Sequence, residues 1–141
     1  MLLVHPGGPF WAQRDGGAWS IPKGGAEDGE EDLRRSALRE LKEELGPAPE
    51  IELEEMIELG SVRQKGGKIV HAWAVEGDFD PGGLDSNTFR MEWPPRSGVE
   101  GEFPEVDRAG WFAPAAARKK LIGAQAVFVD RLLEHLKYSP R

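Results

Sequence analysis

Cysteine is absent from this chain of 141 residues, and long hydrophobic runs are absent as well. Without cysteine, the chain has no disulfides, no thiolate zinc site and no cysteine nucleophile. Every apolar run is far shorter than the ~20 residues of a membrane-spanning helix, so we expect no membrane partner. The segment before His5-Pro6 is too short for a secretory signal peptide. These absences favour a cytoplasmic protein.

The charge balance is acidic, with 25 Asp and Glu against 18 Lys and Arg and a formal net charge of −7. Proteins that bind a nucleic-acid backbone neutralise phosphates with Lys and Arg, so we expect no nucleic-acid partner. A small phosphorylated ligand is compatible with this balance if a metal ion or a local basic patch supplies positive charge. The length predicts one domain over residues 1–141.

Glycine and proline, with 18 and 11 residues, divide the chain into ordered segments. We predict loops at 6–9, 24–29, 81–83 and 94–104. We predict strands at 2–5, 19–21, 69–75, 89–93 and 108–112, and helices at 28–45, 113–121 and 125–137. The start of segment 51–63 is compatible with a helix, whereas residues 56–62 are more typical of a strand. This order predicts an α/β fold with a mixed sheet flanked by helices.

The helix predicted over residues 28–45 carries three glutamates beside its apolar face. At about 100° per residue, Glu40, Glu43 and Glu44 fall within an arc of roughly 100°. Such carboxylates repel each other by ~0.2–0.5 kcal/mol per pair. A hard divalent cation such as Mg²⁺ or Mn²⁺ reverses that sign, because it binds oxygen ligands in a compact shell. Arg39 can pair with Glu43, although a run of this kind taken alone is more often a solvated helix face.

The wider pattern around this helix resembles the Nudix box, G-x5-E-x7-R-E-U-x-E-E-x-G-U, in which U is a bulky apolar residue. The specified positions are matched by Gly25, Glu31, Arg39, Glu40, Leu41, Glu43, Glu44 and Gly46. Residues 19–25 resemble the strand and turn that enter the box, and residues 102–106 with 111–112 resemble the acidic loop and strand that often follow it. The last box position departs from the pattern because it is Pro47, which follows the helix and is expected to affect the chemistry little.

The resemblance implies a Nudix-type α/β/α sandwich with a mixed sheet. The family domain usually begins with a further strand before the one that residues 2–5 resemble, whereas this chain begins in that strand. We therefore expect either a truncated start or a sheet that lacks its first strand. A missing strand leaves an edge that another chain can cover, and a homodimer is one way to cover it.

Nudix enzymes hydrolyse a nucleoside diphosphate linked to a group X, so the resemblance implies a Mg²⁺-dependent pyrophosphohydrolase, with Mn²⁺ as an alternative ion. By the family pattern, the metal ligands are Glu40, Glu43, Glu44 and the backbone carbonyl of Gly25. Glu31 supports the start of the helix, and Arg39 pairs with a box carboxylate. Nucleoside triphosphates and dinucleoside polyphosphates are the two expected substrate classes. The alternative is a non-catalytic Nudix-like module that binds a nucleotide, but such modules usually lose box carboxylates that this chain keeps.

The general base has two main candidates in this pattern. Family members use either a box glutamate, here Glu40, or an acid from a later loop, here Glu105 and then Glu102. A base must approach the attacking water to within ~3 Å, so the sequence leaves the choice open.

The substrate contacts are predicted from charge and aromatic character. Lys23 beside the box loop and Arg63 near a hairpin are candidate phosphate contacts. Trp11, in a loop rich in Gly and Pro, is a candidate for stacking on a base, an interaction worth ~1–3 kcal/mol. The three histidines lack metal-ligand spacing and are expected to be structural or exposed.

Overall fold

Alternating apolar and polar residues form strands, and apolar residues three and four apart form helices, in the computed structural model, which describes residues 1–22, 33–45, 53–84 and 86–137. The strands are β1 Leu2–Pro6, β2 Ile57–Arg63, β3 Ile69–Ala74, β4 Thr88–Glu92, β5 Glu100–Pro104 and β6 Val106–Trp111. The α-helices are α1 Leu33–Leu45, α2 Pro114–Lys120 and α3 Ala126–Lys137. Short 3-10 turns lie at Leu53–Glu55, Pro81–Gly83 and Gly123–Gln125. Residues 28–32 of the predicted first helix and the predicted loop at 24–29 lie outside the described residues.

The described strands pair as three two-stranded antiparallel sheets, β1 with β6, β2 with β3, and β4 with β5. Trp19 and Ser20 join this framework through isolated bridges, one of which is parallel and links Trp19 to Leu121. The predicted α/β fold class is confirmed. In the described residues, the predicted mixed sheet consists of these antiparallel pairs and the parallel bridge at Trp19. Register irregularities lie between His5 and Pro6 in β1 and between Glu58 and Gly60 in β2.

One strand lies where the sequence predicted a loop. Residues 100–104, in the second half of the predicted loop 94–104, form β5 and pair with the whole of β4. Glycine and proline in this stretch obscured its alternation, which brings cross-strand partners together. Thr88 Oγ1 on β4, for example, donates a hydrogen bond of 2.8 Å to Glu102 Oε1 on β5. Glu102 therefore lies on a strand and not in an acidic loop.

Helix α3 connects the two main parts of the apolar core. Val129 packs in a buried cluster that includes Trp19 and Leu121, while its neighbour Phe128 packs in a second cluster against β2 and β3. Phe128 is fully buried. The predicted amphipathic helix over residues 125–137 is thus confirmed, and its apolar face contacts both clusters.

Helix α1 is positioned by a third apolar cluster. Leu41 packs against Val4 of β1 and Val106 of β6, both of which are buried. Because Glu40 immediately precedes Leu41, this packing brings the acidic edge of α1 close to the start of β6. Among the helices described here, none combines the length and the apolar character that crossing a bilayer requires.

Gly7, directly after β1, lies where a side chain has no room. An ideal Cβ at this position would overlap the carbonyl oxygen of Pro104. We expect Gly7→Ala to lower the free energy of unfolding by more than about 2 kcal/mol, since backbone atoms on both sides must move. Urea denaturation measures the change. Gly77→Ala, at a position with no atom within 4 Å of the added Cβ, is the matched control, and equal losses in the two variants would contradict the prediction.

Candidate active site

Several residues of the box lie outside the described part of the chain. Lys23, Gly25 and Glu31 precede the described start of α1 at Leu33. The backbone of Glu44 belongs to α1, but its side chain is not described. The predicted site residues with described side chains are Trp11, Arg39, Glu40, Glu43, Arg63, Glu102 and Glu105.

Arg39 holds two of the predicted carboxylates together on α1. Its Nη1 atom donates to Glu40 Oε1 and to Glu43 Oε1, each over 3.1 Å. The Glu40 side chain is 16% exposed, and that of Glu43 is 41% exposed. The sequence predicted the pairing of Arg39 with Glu43, and the structure adds Glu40. One carboxylate oxygen of Glu40 and one of Glu43 therefore contact the same guanidinium group, that of Arg39.

The pKa of Glu40 also depends on a carboxylate from a distant part of the chain. Burial is the main cause that raises the pKa of Glu40 above its ordinary value of 4.5. Arg39 opposes this rise, whereas the negative charges of Glu43 and Glu105 add to it. Glu105, between β5 and β6, therefore acts electrostatically on the acidic edge of α1.

The donor set on α1 fits a hard divalent cation. Partly buried carboxylate oxygens that repel one another are the ligands that Mg²⁺ prefers, and a cation relieves their repulsion. Among the side chains that the structure describes, no group of three or more acidic or histidine residues is close enough to hold a metal ion. Of the four predicted ligands, only Glu40 and Glu43 have described side chains, and both contact Arg39.

The charge of Glu40 has a stability consequence in the metal-free protein. Because its folded pKa is raised, Glu40 contributes full stability below its ordinary pKa of 4.5, and this contribution is lost as pH rises through the folded pKa. At pH 7 without metal, we expect Glu40→Gln to raise Tm by about 1–3 °C. The gain should shrink as pH falls below 4.5, because the carboxyl then becomes mostly protonated in both states.

Thermal unfolding of both proteins at several pH values, with EDTA present, measures this difference. Glu134→Gln changes an exposed glutamate of α3 and serves as the control. A Glu40→Gln protein that is less stable than the parent at pH 7 and equally stable at pH 4 would contradict the prediction, because it would mean that the charged form is favoured by folding.

The backbone of Glu105 is held from two sides. Gly7 N–H donates to the Glu105 carbonyl oxygen over 2.9 Å, and Glu105 N–H donates to the Asn87 carbonyl oxygen over 2.8 Å. The first contact ties Glu105 to the end of β1, and the second ties it to the segment before β4. The position of its carboxylate therefore depends on both strand pairs.

Glu105 is one of the residues that line an open cavity of about 420 Å³. Its other walls are mainly apolar and include Gly8, Phe10, Trp11, Phe89 and Met91. Gly8 has a φ of +99°, and an added Cβ would lie 2.8 Å from Phe89 Cζ, so the Phe89 ring packs directly on the glycine backbone. The structure thus brings together Trp11 and Glu105, which the sequence named for different roles.

The predicted phosphate contact Arg63 is not among the residues that line this cavity. It lies exposed at the end of β2. Sequence reasoning did not assign Phe89 and Met91 to the site, although the two-residue period of β4 places both on one face. It also missed Arg14, whose Cζ atom lies 4.8 Å from the ring centre of Phe10 and 5.3 Å from that of Trp11. No local pattern predicts these contacts of Arg14.

Comparisons with known proteins identify the family of the chain. The NUDIX domain model matches residues 1–132. A curated protein from Novosphingobium aromaticivorans, named RNA pyrophosphohydrolase, is 58% identical over 55 residues, which cover 36% of this chain and 34% of that protein. The chain therefore spans about a third of the length of this relative. No solved structure is significantly similar to the chain. Because the domain model covers nearly all of the sequence, the protein belongs to the Nudix family.

Proposed function

We propose that this Nudix protein is a pyrophosphohydrolase that acts on a nucleoside diphosphate linked to a group X. The observation that carries the proposal is the packing of Leu41 of α1 on the cluster of Val4 and Val106, because Glu40 precedes Leu41 and Glu105 precedes Val106 in the chain. The aromatic cavity opens beside Glu105. Carboxylates for a metal ion and apolar walls for a nucleobase are thus neighbours.

In this proposal, Glu40, Glu43, Glu44 and the Gly25 carbonyl hold Mg²⁺ or Mn²⁺, and Glu31 supports the start of the helix. The bound ion neutralises the pyrophosphate and makes water a better nucleophile. Glu105 accepts the proton of the water that attacks phosphorus, with Glu40 as the alternative base. The bond from that phosphorus to the bridging oxygen breaks, and the products are a nucleotide and phosphorylated X.

The cavity supports a nucleotide as the substrate. Trp11 and Phe89 both line the cavity and are the proposed stacking partners of a planar base, a contact that is worth ~1–3 kcal/mol per base in other systems. Lys23 and Arg63 are the proposed phosphate contacts. Nucleoside triphosphates and dinucleoside polyphosphates are the preferred classes, because the net charge of −7 disfavours a long polyanion. The name of the curated relative adds the 5′ end of an RNA as a further candidate.

A turnover assay on a substrate panel tests the proposal. The panel contains ribo- and deoxyribonucleoside triphosphates, an oxidised purine triphosphate, diadenosine tetraphosphate and a 5′-triphosphorylated oligoribonucleotide, each with Mg²⁺ or with EDTA. Released phosphate and pyrophosphate are measured. We expect turnover of a small nucleotide that EDTA abolishes. Nucleotide binding without turnover of any compound would instead identify a non-catalytic binding module.

The remaining proposals concern the whole protein. We propose a single domain over residues 1–141, a cytoplasmic location, and a homodimer. Analytical ultracentrifugation decides between monomer and dimer, and fractionation of the source cells decides the compartment. Limited proteolysis that released a stable fragment would contradict the single domain.

A further inference from the structure

His5 on β1 is fully buried and lies between two hydrogen-bond acceptors. Its Nδ1 atom lies 2.7 Å from Asp107 Oδ1, and its Nε2 atom lies 2.6 Å from the carbonyl oxygen of Arg14. A carbonyl oxygen can only accept. The same Asp107 oxygen forms an ion pair with Arg108, whose Nε lies 3.6 Å away, and a carboxylate oxygen also can only accept. Both ring nitrogens of His5 must then donate, which requires a proton on each.

We propose that His5 is a doubly protonated imidazolium and a positioning residue, which binds the loop of residues 7–15 to β6 and so holds the aromatic wall of the cavity in place. The consequence for substrate binding rests on the proposed function, but the protonation and the loop contact do not. A charged donor makes a stronger hydrogen bond than a neutral one, which is why two protons matter for holding the loop.

The contact at Arg14 reaches the cavity through consecutive interactions. His5 fixes the Arg14 carbonyl, while Arg14 N–H donates to the Trp11 carbonyl over 2.9 Å. The Arg14 guanidinium packs over the rings of Phe10 and Trp11. The two rings meet edge to face, with their centres 5.4 Å apart. Movement of Arg14 therefore moves both rings that line the cavity.

The charges around His5 are paired with one another. Asp107 faces the imidazolium directly and also pairs with Arg108, whose guanidinium lies over the ring of Trp19. The edge of Trp19 contacts His5 with ring centres 5.1 Å apart. On this side Asp15 accepts from Trp19 Nε1 at 2.8 Å and forms an ion pair with Lys120. The buried positive ring is consequently compensated, which is the condition under which a buried charge is tolerated.

Nitrogen NMR of the ¹⁵N-histidine-labelled protein tests the protonation without any substrate. At pH 7 we expect the His5 ring to show a bonded proton on both nitrogens. The exposed ring of His71 serves as the reference, and the His5→Gln protein assigns the signals. A His5 ring with one bare nitrogen at this pH would overturn the proposal. This measurement is made on the parent protein, so it stands even if a variant fails to fold.

Two amide variants separate the contacts of His5. Asparagine places its nitrogen near the Nδ1 position, so His5→Asn retains the contact with Asp107 and loses that with Arg14. Glutamine reaches the Nε2 position, so His5→Gln retains the contact with Arg14. We expect amide hydrogen exchange of residues 8–14 to be about tenfold faster in His5→Asn than in His5→Gln.

Kinetics on a substrate from the panel should follow the same order. We expect KM about tenfold higher in His5→Asn than in His5→Gln, with kcat within about twofold, since the loss concerns binding. His71→Asn is the matched control, expected to match the parent. Equal exchange rates and equal KM values in the two His5 variants would overturn the positioning role. Absence of turnover in the parent protein would instead contradict the proposed function and leave the exchange result to decide on His5.

Discussion

Replacement of Glu43 by glutamine is expected to lower kcat by about 100-fold or more while the fold stays intact. Residues that only support metal ligands typically cost 10–100-fold when they are changed, so a proposed ligand should cost at least as much. Glu43 is 41% exposed, and its described contact is the hydrogen bond from Arg39. Arg39 keeps Glu40 as a partner in the variant, which is why stability should change little.

The assay measures kcat against Mg²⁺ concentration, and the far-ultraviolet spectrum and Tm report the fold. A lost ligand should raise the Mg²⁺ concentration needed for half-maximal activity, and added metal should restore part of the rate. Glu134→Gln on α3 removes the same charge at an exposed position away from α1 and is the control. Parent-like kcat and parent-like metal dependence in Glu43→Gln would remove Glu43 from the proposed metal site.

Replacement of Glu105 by glutamine is expected to lower kcat by roughly 10²–10⁴-fold, the usual contribution of a general base, with KM within about twofold. The substitution keeps the shape of the side chain and both backbone hydrogen bonds of Glu105, to Gly7 and Asn87. It replaces the carboxylate that would accept a proton from water by a neutral amide. The loss should therefore appear in the chemical step.

Glu102→Gln is the matched control for this variant, because it makes the same substitution three residues earlier in the sequence. The Glu102 carboxylate accepts a hydrogen bond from the Thr88 hydroxyl on the neighbouring strand. We expect the kcat of Glu102→Gln to stay within about threefold of that of the parent. Unchanged activity of Glu105→Gln would transfer the role of base to Glu40.

Local sequence patterns were sufficient for the elements whose apolar residues keep one period. The second and third helices and the strands at residues 2–5, 69–75 and 89–93 begin and end within a few residues of their predicted bounds, and the first helix ends at its predicted residue, Leu45. β5 was missed because glycine and proline conceal its pairing, which depends on β4. A partner strand distant in sequence is not visible in the strand itself.

The candidate site shows the same division between local and distant information. The box placed Arg39, Glu40 and Glu43 on one helix face, and their contacts in the structure follow from spacings of one and four residues. Glu105 and Trp11 line the same cavity although they are about ninety residues apart in sequence. The hydrogen bond from Gly7 N–H to the Glu105 carbonyl oxygen joins the two chain segments. No residue pattern reports such a contact before the fold is known.

The β4–β5 hairpin contributes Phe89 and Met91 to the cavity, whereas Glu105 is tied to the end of β1 through Gly7. In the proposed function, the side chains that select the base and the carboxylate that accepts the proton therefore come from different positions in the chain, although the hydrogen bond from Glu105 N–H to the Asn87 carbonyl joins their backbones. Directed evolution that randomises positions 89 and 91 should yield catalysts with altered nucleobase preference at undiminished turnover, which makes this hairpin the natural starting point for redesign.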